Sequence, residues 1–435
     1  MWADSSVMYQ IYPLGLCGAP FENDGRPSHR IRTILEFIPH IRKLGVDTVL
    51  FNPLFESDTH GYNTRDYRRL DVRLGTNEDF KELCDRLHEN GIRILLDGVF
   101  NHVGRGFFGF EDVLKNREQS AYRDWFHIDF GGNSVCNDGL WYEGWEGNYD
   151  LVKLNLDNPA VCDYLMDSVR FWIDEFGIDG LRLDVAYMVN RNFLKRLRRD
   201  TAQWKEDFFL AGEILGGDYN QIMNEEMCHS VTNYECYKGI FSALNSDNLF
   251  EIIHSLKRQF GPEPWTLYKG RHLLSFVDNH DVTRIASNLN DERNLPIAYA
   301  IMFGMPGIPV IYYGSEWGEK AKKSEGDPAL RPAFNEPRWN ELCDHIAALS
   351  AARKHSKALV MGDFSVPVLE NRHCIFERSF EEERIMVAIN IEDDPYVFHF
   401  DARAGRARDL ITGETVDFGG GLEVPGHTAY VLEPF

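Results

Sequence analysis

The sequence predicts an α/β fold: a (β/α)8 barrel with an inserted domain after strand 3 and a C-terminal antiparallel β domain. Three observations carry this expectation. Near-continuous apolar strands alternate with amphipathic helices, the pattern of a parallel sheet covered on both faces, and eight such strands make a closed barrel. A long stretch after the third strand breaks the alternation. Beyond residue 355 the helices give way to short alternating β runs.

"VMYQIYP" (residues 7–13) is the first strand. Residues 29–44 follow as a helix, with Ile31, Ile34, Leu35, Ile38, Ile41 and Leu44 at helical spacing. "VDTVLFNP" is the second strand. Thr76 then caps a helix carrying Phe80, Leu83 and Leu87, which Gly91 stops. "IRILLDGVF" is the third strand. After it, residues 103–150 hold "FFGF", "YRDWF" and "LWYEGWEGNY" and form the inserted domain B.

Asn158 and Pro159 are a cap and first-turn pair for a helix through Val161, Leu165, Val169, Trp172 and Phe176 to Gly177. Further strands are expected near 178–185, 208–213, 230–234, 273–278 and 309–313. The apolar run 295–314 contains Pro296, Pro306 and Pro309, so it divides into a helix, a turn and a buried strand rather than spanning a membrane. The barrel thus takes residues 1–102 and 151–355. Residues 356–435, with "CIFERSF", "RIMVAIN", "YVFHF" and "TAYVLEPF", read as a β-sandwich.

Composition narrows the function. Lys+Arg 46 against Asp+Glu 68 gives a formal net charge of −22. Nucleic acid and anionic membranes need clustered positive charge, so neither is expected as a partner; a neutral sugar suits this balance. The eight cysteines are scattered with no C-x-x-C pair, as reduced thiols are. "MWADSSVMYQIYP" has no basic region followed by an apolar stretch, so the expected location is the cytoplasm.

The stretch "GIDGLRLDVAY", residues 177–187, carries the chemistry. Its apolar residues mark a buried strand, yet Arg182 and Asp184 share one face of it. A buried ionised pair is costly unless it is hydrogen-bonded or does chemistry. Active-site groups of such a barrel sit at the C-terminal strand ends. There the chain places Asp97 with Asn101 and His102, Arg182 with Asp184, Glu213, and His280 with Asp281. Two such carboxylates support glycosidic cleavage: one attacks the anomeric carbon and the other protonates the leaving oxygen. Arg182 is expected to keep Asp184 ionised. Glu213 follows the apolar "FFLAG", which is expected to raise its pKa.

"DGVFNH", "GLRLDV", "GEI" and "FVDNHD", in this order and spacing, resemble the four signature regions of the α-amylase family, glycoside hydrolase family 13. The resemblance covers nearly the whole chain. It implies Asp184 as nucleophile, Glu213 as general acid/base and Asp281 as the carboxylate gripping sugar hydroxyls. His102, Arg182 and His280 would line the sugar position at the scissile bond, with Asp97 supporting Arg182. Tyr62 in "GYNTRDY" matches the family's stacking tyrosine. Asp327 and Arg331 in "DPALR" have the spacing of a pair that binds the next sugar inward.

No cofactor is required by this chemistry. Asn101 resembles a calcium ligand of true α-amylases, but neither residues 61–67 nor the loop 15–26 shows an acidic calcium-binding run.

"LVKLN" (residues 151–155) and "SAYRDWFHI" are similar to neopullulanases and cyclomaltodextrinases. That branch has Met-Pro where this chain has Leu151 and Val152, and Ala-Asn-Glu where it has "AYMV", residues 186–189. The first strand begins almost at Met1, so the N-terminal β module through which that branch dimerises has no counterpart, and the oligomeric state stays open. The implied activity is retaining hydrolysis of α-1,4-glucosidic bonds in maltodextrins, including cyclic ones, through a covalent glycosyl-Asp184 intermediate. Transglycosylation, endo-acting cleavage of starch and silent sugar binding are the alternatives. Of the insertion's Phe107, Phe108, Trp125, Trp141, Tyr142, Trp145 and Tyr149, about half are expected in its own core, and two or three over the cleft would favour short or curved chains.

Overall fold

The computed structural model describes residues 1–435. Its central strands are β1 (Met8–Ile11), β2 (Thr48–Phe51), β3 (Arg93–Gly98), β4 (Gly180–Leu183), β5 (Phe209–Gly212), β6 (Ser230–Val231), β7 (Leu274–Ser275) and β8 (Ile308–Tyr312). They run parallel in the order β6-β5-β4-β3-β2-β1-β8-β7. A parallel bridge between Thr232 and Leu274 joins the two ends into a nearly closed barrel. Every position of β1, β2, β4, β5 and β8 is buried, which is why their sequences read as apolar runs rather than alternations. The register of β3 on β4 sets Asp97 directly beside Arg182.

Local sequence explains the outer helices. The Thr76 side chain accepts the Asp79 N–H and Asp79 returns the bond, capping Asn77–Glu89. Asn158 caps Pro159–Phe176, and Gly177, at φ 67°, ends it in the left-handed region. Inside that helix Trp172 stacks on Phe55 at 4.8 Å and donates its indole N–H to Tyr67 O at 2.6 Å. The helix expected over 29–44 is divided: a 3₁₀ helix, Arg30–Phe37, precedes an α-helix, Ile38–Lys43. The cause is Pro39, which lacks an N–H and whose ring collides with the carbonyl four residues back, so it is tolerated only in a first turn. The apolar run resolves into the buried helix Leu295–Gly304 and strand β8. No helix is long and apolar enough to cross a membrane.

The inserted segment is anchored by a three-stranded antiparallel sheet of His102–Gly104, Asn148–Lys153 and Gly144–Trp145. Lys153 pairs with His102, so this sheet reaches one residue before and three residues after the expected span 103–150. It therefore begins on a candidate site residue. The C-terminal part follows the helices Glu341–His355 and Lys357–Met361. It is a six-stranded antiparallel sheet faced by a two-stranded ribbon, Tyr396–Phe398 with Leu422–Val424. Ile375, Met386 and Leu432 pack against Phe398, Leu422 and Val424 between the two. All eight cysteines are free thiols.

Candidate active site

Leu181 and Leu183 of β4 belong to the main apolar core, while Arg182 and Asp184 project inward. Arg182 is the hub. Its Nη1 donates to both oxygens of Asp97 at 2.8 Å and to Asp184 Oδ1 at 3.2 Å, and its Nη2 donates to Glu213 Oε1. Three carboxylates from β3, β4 and β5 thus share one buried guanidinium. The other oxygen of Glu213 accepts the backbone N–H of Val185 at 3.1 Å. Val185 stands at φ +39°, a conformation that costs a β-branched residue strain.

A second cluster sits beside the first. Asp97 also accepts from Asn52 at 3.2 Å and from the Tyr62 hydroxyl at 3.1 Å. The Tyr62 ring stacks on His280 with centroids 5.7 Å apart. Gln10 contacts His280 Nδ1 at 3.1 Å and donates to Asn52 at 2.9 Å. His280 Nε2 faces Asp281 at 2.9 Å. Arg331 Nη2 reaches Asp281 at 2.9 Å and Asp327 at 3.2 Å, with its guanidinium 4.6 Å above the Tyr12 ring. His102 Nε2 lies 3.9 Å from Asp184 and has no hydrogen-bond partner.

These groups surround a cleft of about 480 Å³ at the C-terminal ends of the strands. Of the expected residues, Tyr62, His102, Asp184, Glu213, Asp281, Asp327 and Arg331 line it. Asp97, Arg182 and His280 are buried and do not line it. Asn101 is buried with its amide nitrogen 3.2 Å from His102 Nδ1. No group of three or more His, Cys, Asp or Glu side chains stands together as a metal cage.

The alpha amylase catalytic domain pattern matches residues 21–359, well over half of the 435. The chain belongs to the α-amylase family. This glycoside hydrolase is 31% identical to a cyclomaltodextrinase of Bacillus sp over 89% of the chain and 73% of that relative. It is 29% identical to the intracellular maltogenic amylase of Bacillus subtilis strain 168, over 89% of the chain and 69% of that relative. Among solved structures it resembles the ligand-free cyclic α-maltosyl-(1→6)-maltose hydrolase of Arthrobacter globiformis, with TM-score 0.84, 26% identity and full coverage of both chains.

The electrostatics of the α-amylase-family site depart from one sequence expectation. Arg182 was to keep Asp184 charged. Its closest contacts are instead Asp97 and Glu213, and burial followed by the charge of Glu213 pushes the Asp184 carboxyl well up despite Arg182. Burial also raises the Glu213 carboxyl, with Arg182 opposing. Both carboxyls are thus shifted up, and they titrate as an interacting pair. Asp281 goes the other way: burial works against its charge, and His280, Arg331 and Arg182 outweigh it, holding the carboxyl well below the usual range. Burial takes His102 down to about 3 and His60, on the cleft wall, down to about 4, so both are neutral.

The aromatic insertion puts fewer rings on the cleft than the two or three that would favour short or curved chains. Of its seven named rings, Trp145 alone lines the cleft, its indole N–H 3.2 Å from Met188 Sδ. Phe107 and Tyr142 are buried, and Phe108 and Trp125 pack with Tyr122 and Tyr164. Phe107 and Tyr142 join the main core, whereas Phe108 and Trp141 stay exposed. Tyr187 and Tyr234 line the cleft without having been singled out for it. Gln10 and Asn52 carried the same signal as Arg182, a polar residue inside an apolar strand.

Proposed function

We propose that the chain is a retaining glycosidase acting on α-1,4-glucosidic bonds of maltodextrins, cyclic ones included, in the cytoplasm. The observation that carries this reading is the sharing of the Arg182 guanidinium by Asp184 and Glu213 at the cleft floor. Two carboxyls tied to one guanidinium are near neighbours, as a retaining pair must be. Asp184 attacks the anomeric carbon while Glu213 gives its proton to the departing oxygen. Glu213 then takes a proton from the water that releases the sugar from Asp184.

The raised Glu213 carboxyl suits proton donation. The strongly acidic Asp281 stays charged and accepts hydrogen bonds from sugar hydroxyls. Tyr62 offers a ring face to the sugar, and Arg331 with Asp327 stands where the next sugar inward binds. The carboxylates supply both halves of the chemistry, so no cofactor takes part. The names of the cyclomaltodextrinase and intracellular maltogenic amylase relatives support the substrate class and the location.

One observation favours an endo-acting α-amylase on starch instead: a single insertion ring on the cleft leaves it less enclosed. The values of kcat/KM on β-cyclodextrin, maltoheptaose and soluble starch under one set of conditions decide. Faster cleavage of either small substrate supports the maltodextrin reading, and faster cleavage of starch per chain than of both overturns it.

A further inference from the structure

Arg284 lies three residues beyond Asp281, fully buried, and takes no part in the chemistry above. It does not line the cleft. A buried guanidinium is costly, so what it holds points to its purpose. Its Nη1 donates to the carbonyl of Tyr313 at 2.7 Å and to the Ser315 hydroxyl at 3.0 Å, and its Nη2 donates to the carbonyl of Leu330 at 2.9 Å. The Ser315 hydroxyl in turn donates to Asp278 at 2.8 Å, and Asp278 also accepts the Ile285 N–H at 2.7 Å. The rigid fork of the guanidinium thus ties the residues just after β8 to the segment 327–331.

Leu330 matters because Arg331 follows it. The chain leaves the short helix Asp327–Leu330 for irregular backbone, so Arg331 is placed by what its neighbours' carbonyls accept. Leu330 O also accepts the Tyr312 hydroxyl at 3.0 Å, and Pro332 O accepts the Tyr313 hydroxyl at 2.9 Å. The carbonyl of Arg331 itself is closed in by Gly15, where a Cβ would come within 2.3 Å of it. From this fixed main chain the Arg331 side chain reaches His280 O at 3.1 Å, Asp281 at 2.9 Å and Asp327 at 3.2 Å. Among these supports Arg284 gives the charge-assisted bond, the strongest kind.

We propose that Arg284 is a positioning residue for the glycosidic reaction: by holding the Leu330 carbonyl it fixes Arg331 against Asp281 and so sets the affinity for the sugar inward of the scissile bond. The inference rests on the proposed function, which gives Arg331 that sugar. Arg284 touches no substrate. Its loss therefore weakens sugar binding through Arg331 and spares the bond-breaking step at Asp184 and Glu213.

The split between KM and kcat tests this. Arg284→Met removes all three bonds and should raise KM for maltotetraose about tenfold while kcat stays within about twofold. A merely structural role would lower kcat through loss of folded enzyme and leave KM alone. Arg284→Lys keeps the buried charge but not the fork; it should raise KM about threefold, and it decides the matter if the methionine variant fails to fold. On an Arg331→Ala background the lysine substitution should change KM by less than about twofold, because the residue it positions is gone. An unchanged KM in Arg284→Lys, or the same rise with and without Arg331, would overturn the proposal. Turnover of maltotetraose by the unsubstituted enzyme reports separately on the proposed function. Without turnover, the same comparisons are read as Kd for maltotetraose by titration calorimetry, and absence of binding overturns this proposal too.

Discussion

The backbone N–H of Val185 donates to Glu213 Oε2 at 3.1 Å from a residue held at φ +39°. Val185 follows Asp184 directly, so this bond, beside the shared Arg182, ties the two carboxyls together through the main chain. The strain should be visible in stability. At an ordinary buried valine, truncation to glycine costs more than truncation to alanine. Here glycine relieves the positive φ and alanine does not. Val185→Gly should therefore be about 1 kcal/mol more stable than Val185→Ala. Thermal melts of the two variants check it; the ordinary ranking would mean that the conformation carries no strain.

Asp184→Asn should abolish turnover while leaving the fold intact. A neutral amide cannot attack carbon, and losing the covalent step costs several orders of magnitude in rate. The replacement also removes one negative charge from a crowded cluster, so melting should not fall. Activity above a few per cent of the parent, measured beside the melt, would place the nucleophile elsewhere.

Glu213→Gln should gain stability relative to the parent as pH rises. The folded-state carboxyl of Glu213 is raised above its unfolded value, chiefly by burial. Its contribution is fully present below the unfolded pKa and is lost as pH rises through the folded one. The glutamine does not titrate and avoids that loss. The difference in Tm between variant and parent should thus increase from pH 4 to pH 8. A difference that is flat or shrinks would show that Arg182 and the Val185 N–H hold Glu213 ionised.

Asp281 makes the opposite prediction. Its folded carboxyl is depressed, so its stabilisation is present above the unfolded pKa and is lost as pH falls through the folded one. Asp281→Asn should be less stable than the parent at pH 7, and the two should converge only in strong acid. Melting curves from pH 7 down to pH 2 test this; equal stability at pH 7 would mean that His280 and Arg331 give Asp281 no net support.

Much of this site was legible because its signal is local. Arg182 and Asp184 put polar side chains on a buried strand and its end, which a chain tolerates only for a purpose, while Gln10 and Asn52 carried the same signal without being singled out. The strand register that pairs Asp97 with Arg182 follows from the barrel once β3 and β4 are adjacent. What could not be foreseen depended on tertiary packing. The sharing of Arg182 among three carboxylates is a matter of distance, and no periodicity encodes it. Val185 gives no warning of φ +39°, since valine disfavours it. Of the insertion's rings Phe107 and Tyr142 are buried while Phe108 and Trp141 stay exposed, and composition alone does not say which ring goes where.

The central claim is double displacement through Asp184, and the configuration of the first sugar released tests it most directly. Proton NMR of the products of an α-linked maltooligosaccharide, recorded before mutarotation, should show the α-anomer appearing first, because attack by Asp184 and then by water inverts twice. First appearance of the β-anomer would mean single displacement by water and would contradict the covalent role of Asp184.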